Sequence, residues 1–244
     1  MKFLRKLLLF STAALALSGC FFPVRMTRVI GSGEVATETR EVSGFSAVDL
    51  SGIGKLIIDQ GNSESLTITA EENLIPYLET RVTGKELHLG VRDYVNIDPR
   101  EEIVFRLTVV ELERLESSGL GKIEIAALES EDLDIQISGA GDLTIGELMA
   151  DSFRLEISGA GNAVVAGEVT DQRIELSGAG NYQAGDLLSE EARVQISGAG
   201  RAVVWAEGEL DVEISGSGSL QYYGSPILNT EMSGAGTLEG LPAK

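Results

Sequence analysis

Residues 137–161 read ISGAGDLTIGELMADSFRLEISGAG, and this stretch holds the repeat that decides the fold. The tetrad Ser-Gly-x-Gly appears in it twice, 20 residues apart. From the second copy in the chain onward, the steps between tetrads are 20, 20, 19, 20, 18 and 18 residues. A repeat of this length predicts one coil of a solenoid per tetrad. The tetrads begin at Ser51, Ser118, Ser138, Ser158, Ser177, Ser197, Ser215 and Ser233.

The residues on either side of each tetrad alternate between apolar and polar. Leu155 and Ile157 are apolar, whereas Glu156 between them is polar, and Leu143 and Ile145 continue the pattern after the first quoted tetrad. Alternation with period two predicts strands with one buried face. Each coil is therefore expected to hold two short strands joined at a corner, where glycine permits positive φ and a close approach of neighbouring coils.

Strands that recur once per coil stack in parallel on the next coil, at about 4.8 Å per step. The chain is thus predicted to be all-β, a parallel β-helix or β-solenoid with about 18–20 residues per coil. An antiparallel sandwich of short strands is the alternative. The repeat region contains no Asn-Gly hairpin turn, which disfavours that alternative.

Composition excludes several kinds of function. The chain has 244 residues with 19 basic and 38 acidic side chains, and a net charge of -19 makes nucleic acid an unfavourable partner. A single histidine (His88) and a single cysteine (Cys20) leave no zinc site and no internal disulfide. Only Asp142 offers a carboxylate directly after a repeated tetrad, so no calcium column is expected. We predict no catalytic residues, no metal site and no cofactor.

The N-terminus has the pattern of an export signal. Lys2, Arg5 and Lys6 precede an apolar stretch over residues 7–17, which is too short to span a bilayer stably. The following Leu-Ser-Gly-Cys, ending at Cys20, resembles the lipobox of bacterial lipoproteins. We therefore expect a lipoprotein signal peptide over 1–19 and lipidation of Cys20. An ordinary secretory signal is the alternative.

A lipoprotein signal that ends before Cys20 determines the expected domain boundaries and the expected location of the chain. Residues 20–28 would be a lipidated tether and residues 29–244 a single β-solenoid domain, irregular over 29–115 and regular over 116–240. Loss of three basic residues with the signal leaves 16 basic and 38 acidic side chains, a charge of -22, so acyl chains must provide the membrane contact. Phe21 after the cysteine resembles the signal for the outer membrane of the cell envelope.

Two polar columns are predicted on the outer surface of the repeats. Their charges would offset one another, which favours a solvated face over a ligand track. The positions two residues before each serine are Glu116, Gln136, Glu156, Glu175, Gln195, Glu213 and Glu231. The positions four residues before it are Arg114, Asp134, Arg154, Arg173, Arg193, Asp211 and Asn229.

An apolar and aromatic patch is predicted on the second strand of the coil. If alternation holds, Val164, Val203, Trp205 and Tyr223 face solvent, where such side chains usually mark a contact with a partner. The partner would be a glycan, an envelope protein or a second copy of the chain. The alternative is a bulge near residues 207–208 that turns Trp205 inward.

The order of several segments resembles a known family. Glu41–Phe45, Ser51–Gly54 and Leu66–Leu74, followed by repeated Ser-Gly-Ala-Gly, are similar to the head GIN domain family of bacterial envelope proteins, which is labelled putative auto-transporter adhesin. The resemblance implies a right-handed parallel β-helix and a non-enzymatic, adhesin-like or scaffold role. It implies no residue roles beyond the structural glycines. A polysaccharide-acting lyase or glycosidase on a β-helix is the alternative function.

Overall fold

The computed structural model describes residues 26–242 and residue 244. The predicted signal peptide, Cys20 and the tether as far as residue 25 lie outside the described residues. Within the described part, no helix is long and apolar enough to cross a membrane.

The described chain folds into β-strands joined by short turns, with one 3-10 turn at Ile75–Tyr77. The first nine strands belong to the less regular part, and the later ones carry the repeats. They are β1 (Thr27–Ile30), β2 (Val35–Arg40), β3 (Ala47–Gly52), β4 (Lys55–Gln60), β5 (Ser65–Glu71), β6 (Leu78–Thr83), β7 (Glu86–Val91), β8 (Val95–Asp98), β9 (Val104–Val109), β10 (Arg114–Gly119), β11 (Lys122–Ile137), β12 (Asp142–Ile157), β13 (Asn162–Leu176), β14 (Asn181–Ile196), β15 (Arg201–Gly216), β16 (Ser219–Tyr223), β17 (Ile227–Gly234) and β18 (Thr237–Gly240).

The repeats stack as parallel strands in register. Each of β11 to β15 pairs with the next one along the chain, so equivalent positions of successive repeats form straight columns. The stack is a β-solenoid of about 6 turns, which confirms the predicted fold class. One buried column of the core contains Ile135, Leu155, Ile174, Val194 and Val212.

The coil differs from the prediction in the length of its strands. Backbone pairing continues through the bends, so β11, β12, β14 and β15 each have 16 residues where two short strands were expected. Ala126 and Ala127 in β11 are both exposed, which marks a bend where the alternation changes phase. The strand turns a corner there without losing its neighbours.

The tetrads stack on one another through the backbone. The N–H of Ala160 donates to the carbonyl oxygen of Gly139 at 3.0 Å. A Cβ on Gly159 would overlap that same oxygen, and one on Gly161 would lie 2.6 Å from the carbonyl oxygen of Gly141. Close approach of the coils therefore explains glycine in the central tetrads. The predicted positive φ occurs in tetrads nearer the ends, as at Gly119 with 126°, but not at Gly159.

The N-terminal strands close one end of the solenoid with a different topology. The coil made by β3 and β4 lies between β7 and β9 on one side and β10 and β11 on the other. Antiparallel pairs join β2 to β5, β5 to β9 and β6 to β7. These strands cover the outer side of the first coil. They therefore act as the cap that the end of a solenoid requires.

A buried carboxylate holds this end together. Glu71 is fully buried and accepts the backbone N–H groups of Gly33 at 2.6 Å, Arg100 at 2.8 Å and Glu101 at 3.4 Å. Burial raises the pKa of Glu71, but these three N–H donors and the charge of Arg100 outweigh it and hold the pKa below its ordinary value. The ionised side chain at the end of β5 thus joins the loop at Gly33 to the loop at Arg100 and Glu101.

We expect Gly159→Val to lower the free energy of unfolding by about 3 kcal/mol or more, because the side chain must displace the backbone of the preceding coil. Ala160→Val is the matched control, since Ala160 is exposed in the same tetrad and should change stability by less than about 0.5 kcal/mol. Chemical denaturation measures both. Equal midpoints for the two variants would contradict the packing role of Gly159.

The stability contributed by Glu71 is expected to depend on pH. Since its pKa is lower in the folded than in the unfolded chain, ionised Glu71 stabilises the fold above the unfolded pKa, and this contribution is lost as pH falls through the folded pKa. Glu71→Gln should therefore be less stable than the parent at neutral pH, with a difference that shrinks in acid. Exposed Glu72→Gln serves as the control in thermal melts across pH. A pH-independent difference would exclude this linkage.

Candidate partner-binding site

The two predicted polar columns lie side by side on the sheet, with ion pairs both between the columns and within one of them. Arg154 contacts Glu175 at 3.0 Å, and Arg193 contacts Asp211 at 2.8 Å. The hydrogen bond from Arg193 holds the pKa of Asp211 below its ordinary value. Exposed pairs of this kind add little stability. The columns therefore form a solvated face whose charges largely offset each other.

Trp205 faces outward from β15. Its neighbours Val204 and Ala206 are buried, so the alternation of the strand continues through this position. Tyr223 lies directly opposite Trp205 on the paired strand β16. Both aromatic side chains are half-buried. The pairing of β14 with β15 does shift register at residues 207–208, where the alternative placed a bulge, but Trp205 still faces outward.

Two of the four predicted patch residues meet above a glycine, and Trp205 lies beside one of them on the neighbouring strand. A Cβ on Gly185 would lie 3.0 Å from the ring of Tyr223 and 3.4 Å from Val203, so both side chains rest on its bare backbone. Val203, Trp205 and Tyr223 form what we call the aromatic patch. Val164 is 48% exposed in the same column as Val203, but the side chain of Gln183 stands between them. Val164 is therefore separate from the patch.

Charged groups surround the aromatic patch. The indole N–H of Trp205 donates to Glu207 at 2.7 Å. The ammonium of Lys244 lies 5.2 Å from the ring centroid of Trp205 and 4.9 Å from that of Tyr223, and it forms an ion pair with Asp186. Glu207, Asp186 and Lys244 were not predicted as part of a site, because the patch was recognised from apolar side chains at outward positions and these three are charged.

A buried hydrogen-bond network supports the backbone beneath the patch. Tyr182 donates to Gln172 at 3.1 Å, Gln172 donates to Ser189 at 2.7 Å, and Ser189 donates to the carbonyl oxygen of Trp205 at 2.8 Å. Burial raises the pKa of Tyr182, so its hydroxyl stays protonated and remains a donor. Buried networks of this kind are rigid when all members are satisfied. The position of Trp205 is thus determined from inside the core.

An acidic groove of about 1020 Å³ runs across the coils and reaches the patch at Glu207. One wall is a column in which Glu129, Met149, Glu168 and Leu188 occupy successive strands, and Trp205 is the next member of that column. None of the described residues lining the groove is basic. Its carboxylates are Glu111, Glu129, Glu131, Asp151, Glu168, Glu190 and Glu207. No pattern in the sequence predicted this groove.

Metal binding has no support in the described part of the chain. Among residues 26–242 and residue 244, no group of three or more His, Cys, Asp or Glu side chains could hold an ion. Asp142, the candidate considered from the sequence, accepts a hydrogen bond from Asn162 at 2.9 Å. Asn181 continues this ladder by donating to Asn162 at 2.7 Å. The ladder links three coils along the surface.

Comparisons place the chain among known folds and families. The family model "Putative auto-transporter adhesin, head GIN domain" matches residues 44–226. No curated protein matches the chain.

Several solved structures have the same fold. A putative adhesin from Bacteroides fragilis is 22% identical, with a TM-score of 0.82, and covers 87% of this chain and 100% of its own. A putative adhesin from Parabacteroides distasonis is 19% identical, with a TM-score of 0.72 and coverage of 88% and 100%. A putative lipid binding protein from the same species is 21% identical, with a TM-score of 0.73 and coverage of 88% and 100%. At these identities the likeness concerns the fold.

Proposed function

Since the chain belongs to the family described as putative auto-transporter adhesin, head GIN domain, we propose that it is a non-enzymatic, adhesin-like binding protein of the bacterial envelope. The aromatic patch of Val203, Trp205 and Tyr223 is its contact surface. The partner is a surface molecule, either a glycan or an envelope protein. The family description supports an envelope or surface location, and the finer assignments rest on residues of this chain.

The observation that carries this proposal is the aromatic patch itself. The ring of Tyr223 and the side chain of Val203 lie over the bare backbone of Gly185, and Trp205 lies opposite Tyr223 on the paired strand. A half-exposed apolar cluster of this kind on a charged surface usually marks a contact site. Rigid support from Gln172 and Ser189 beneath Trp205 reduces the ordering that binding would require.

Attachment to the membrane is assigned to Cys20, outside the described residues. The basic residues, the short apolar stretch and the lipobox-like quartet support this assignment. A body with this excess of carboxylates is repelled by anionic headgroups, so lipid chains on Cys20 would provide the anchor. Phe21, directly after the cysteine, resembles the signal for export to the outer membrane, and the proposal includes that location.

Binding by the aromatic patch predicts a result on a panel of envelope and host glycans. The soluble domain starting at residue 26 should be retained by at least one glycan, and Trp205→Ala combined with Tyr223→Ala should lower that affinity about tenfold or more. Tyr94→Ala, which removes an exposed tyrosine at the capped end, is the control. Release of a cleaved product would favour the polysaccharide-acting alternative. Unchanged binding by the double variant would exclude the patch as the contact surface.

Lipidation predicts that radiolabelled palmitate enters the full chain and that Cys20→Ser abolishes both labelling and processing. Ser18→Ala, two residues before the cysteine, is the control and should still be labelled. Electrophoresis of envelope fractions separates processed from unprocessed chains. Normal processing of the Cys20→Ser variant would mean that an ordinary secretory signal is present instead.

A further inference from the structure

The aromatic patch already contains a cation. The ammonium of Lys244 lies about equally far from the ring centroids of Trp205 and Tyr223, at 5.2 and 4.9 Å, and the carboxylate of Asp186 contacts it. Ring faces within about 6 Å attract a cation through the negative charge of their π-systems. We call Trp205, Tyr223 and Asp186 the ammonium cage.

The cage selects for a particular kind of cation. The ring faces attract any compact positive charge. Asp186 in addition accepts a hydrogen bond from the ammonium of Lys244, and a quaternary ammonium has no N–H to donate. Glu207 is occupied by the indole N–H of Trp205, which fixes the orientation of that ring. A primary ammonium on a flexible alkyl stem therefore fits best, and Lys244 shows that a lysine side chain enters.

We propose that the ammonium cage recognises a lysine side chain of a protein partner, and that Lys244 occupies the cage in the free chain as an internal competitor. This inference rests on the proposed function, because it names the partner class of the same patch. It specifies which side chain of the partner is bound, and it makes Lys244 the group that controls access to the cage.

The acidic groove extends the cage in a direction suited to a basic segment. From Glu129 to Trp205 the wall crosses five strands, a length of about 20 Å at the usual strand spacing. Carboxylates of Glu129 and Glu168 alternate on it with the apolar side chains of Met149 and Leu188. The alkyl stems of basic side chains pack on apolar surface while their charged ends pair with carboxylates. An extended, lysine-rich segment matches both.

Lys244 is held loosely enough to be displaced. The side chain of Asp186 is 82% exposed, so solvent weakens its ion pair with Lys244, whose own side chain is 28% exposed. A partner lysine replaces one ammonium by another, with no net change in the charge of the cage. The apparent affinity for the partner is then reduced by the fraction of chains in which Lys244 occupies the cage.

The test uses a fluorescein-labelled tetralysine peptide and fluorescence anisotropy with the full described domain. Lys244→Ala should bind the peptide about fivefold more tightly than the parent, and Asp186→Asn about fivefold more weakly. Tetralysine should bind the parent more tightly than its trimethylated form, and this preference should disappear in Asp186→Asn. Trp205 is the single tryptophan, so its fluorescence reports directly on occupancy in these variants.

Matched variants separate the cage from general charge attraction. Glu102→Gln removes the same charge as Asp186→Asn from an exposed position at the capped end. Lys55→Ala removes a lysine that pairs with Glu124 at 2.8 Å, away from the cage. Both should bind tetralysine like the parent. An equal loss in Glu102→Gln and Asp186→Asn would overturn the inference, because it would indicate non-specific attraction.

The outcomes distinguish this inference from the proposed function. If Asp186→Asn and Lys244→Ala bind tetralysine like the parent while the Trp205 and Tyr223 double variant loses its glycan, the patch is an adhesion surface and the cage inference is wrong. Capture of a glucosamine tetramer in place of tetralysine also overturns it in favour of a glycan. If the double variant binds every partner like the parent, the proposed function itself fails.

Discussion

Every level of this structure depends on how closely the backbones of successive tetrads approach. The N–H of the residue between the two glycines reaches the carbonyl oxygen of the coil before it, as Ala160 does with Gly139. That hydrogen bond leaves no room for a Cβ on Gly159. Once the tetrads are stacked in this way, the strands on either side are held in register. Columns of aliphatic side chains then fill the interior, and columns of polar side chains cover the outside.

The candidate binding site is a departure from that regularity. Gln172 and Ser189 stand at buried positions that apolar residues occupy in neighbouring coils, and their hydrogen bonds end on the carbonyl oxygen of Trp205. Gly185 has no side chain, so the ring of Tyr223 can pack directly on its backbone. A repeat that is uniform in most coils thus presents one distinct local surface near its end. Binding specificity in a solenoid arises at such exceptions, because the repeated positions look alike.

Period-two alternation made the core, the parallel register and the outward direction of Trp205 predictable from sequence. The separation of Val164 from Val203 was predictable too, because Gln183 stands six residues after its tetrad serine, at the same offset as both valines. The acidic groove was missed because the alternation changes phase at bends such as Ala126 and Ala127. The contact of Lys244 with Trp205 has no local signal at all, because it joins positions 39 residues apart along the chain.

The topology of the first coil has a consequence for the order of folding. Lys55 in β4 pairs with Val104 on one side and with Lys122 on the other, so this coil is completed only after much later segments have been synthesised. Pairings between segments distant in sequence form slowly, whereas the repeats from β11 onward each need only the adjacent coil. We therefore expect the regular coils to form before the first coil is complete. Until β9 and β11 have been synthesised, the backbone N–H and C=O groups of β4 lack the partners that they have in the folded chain.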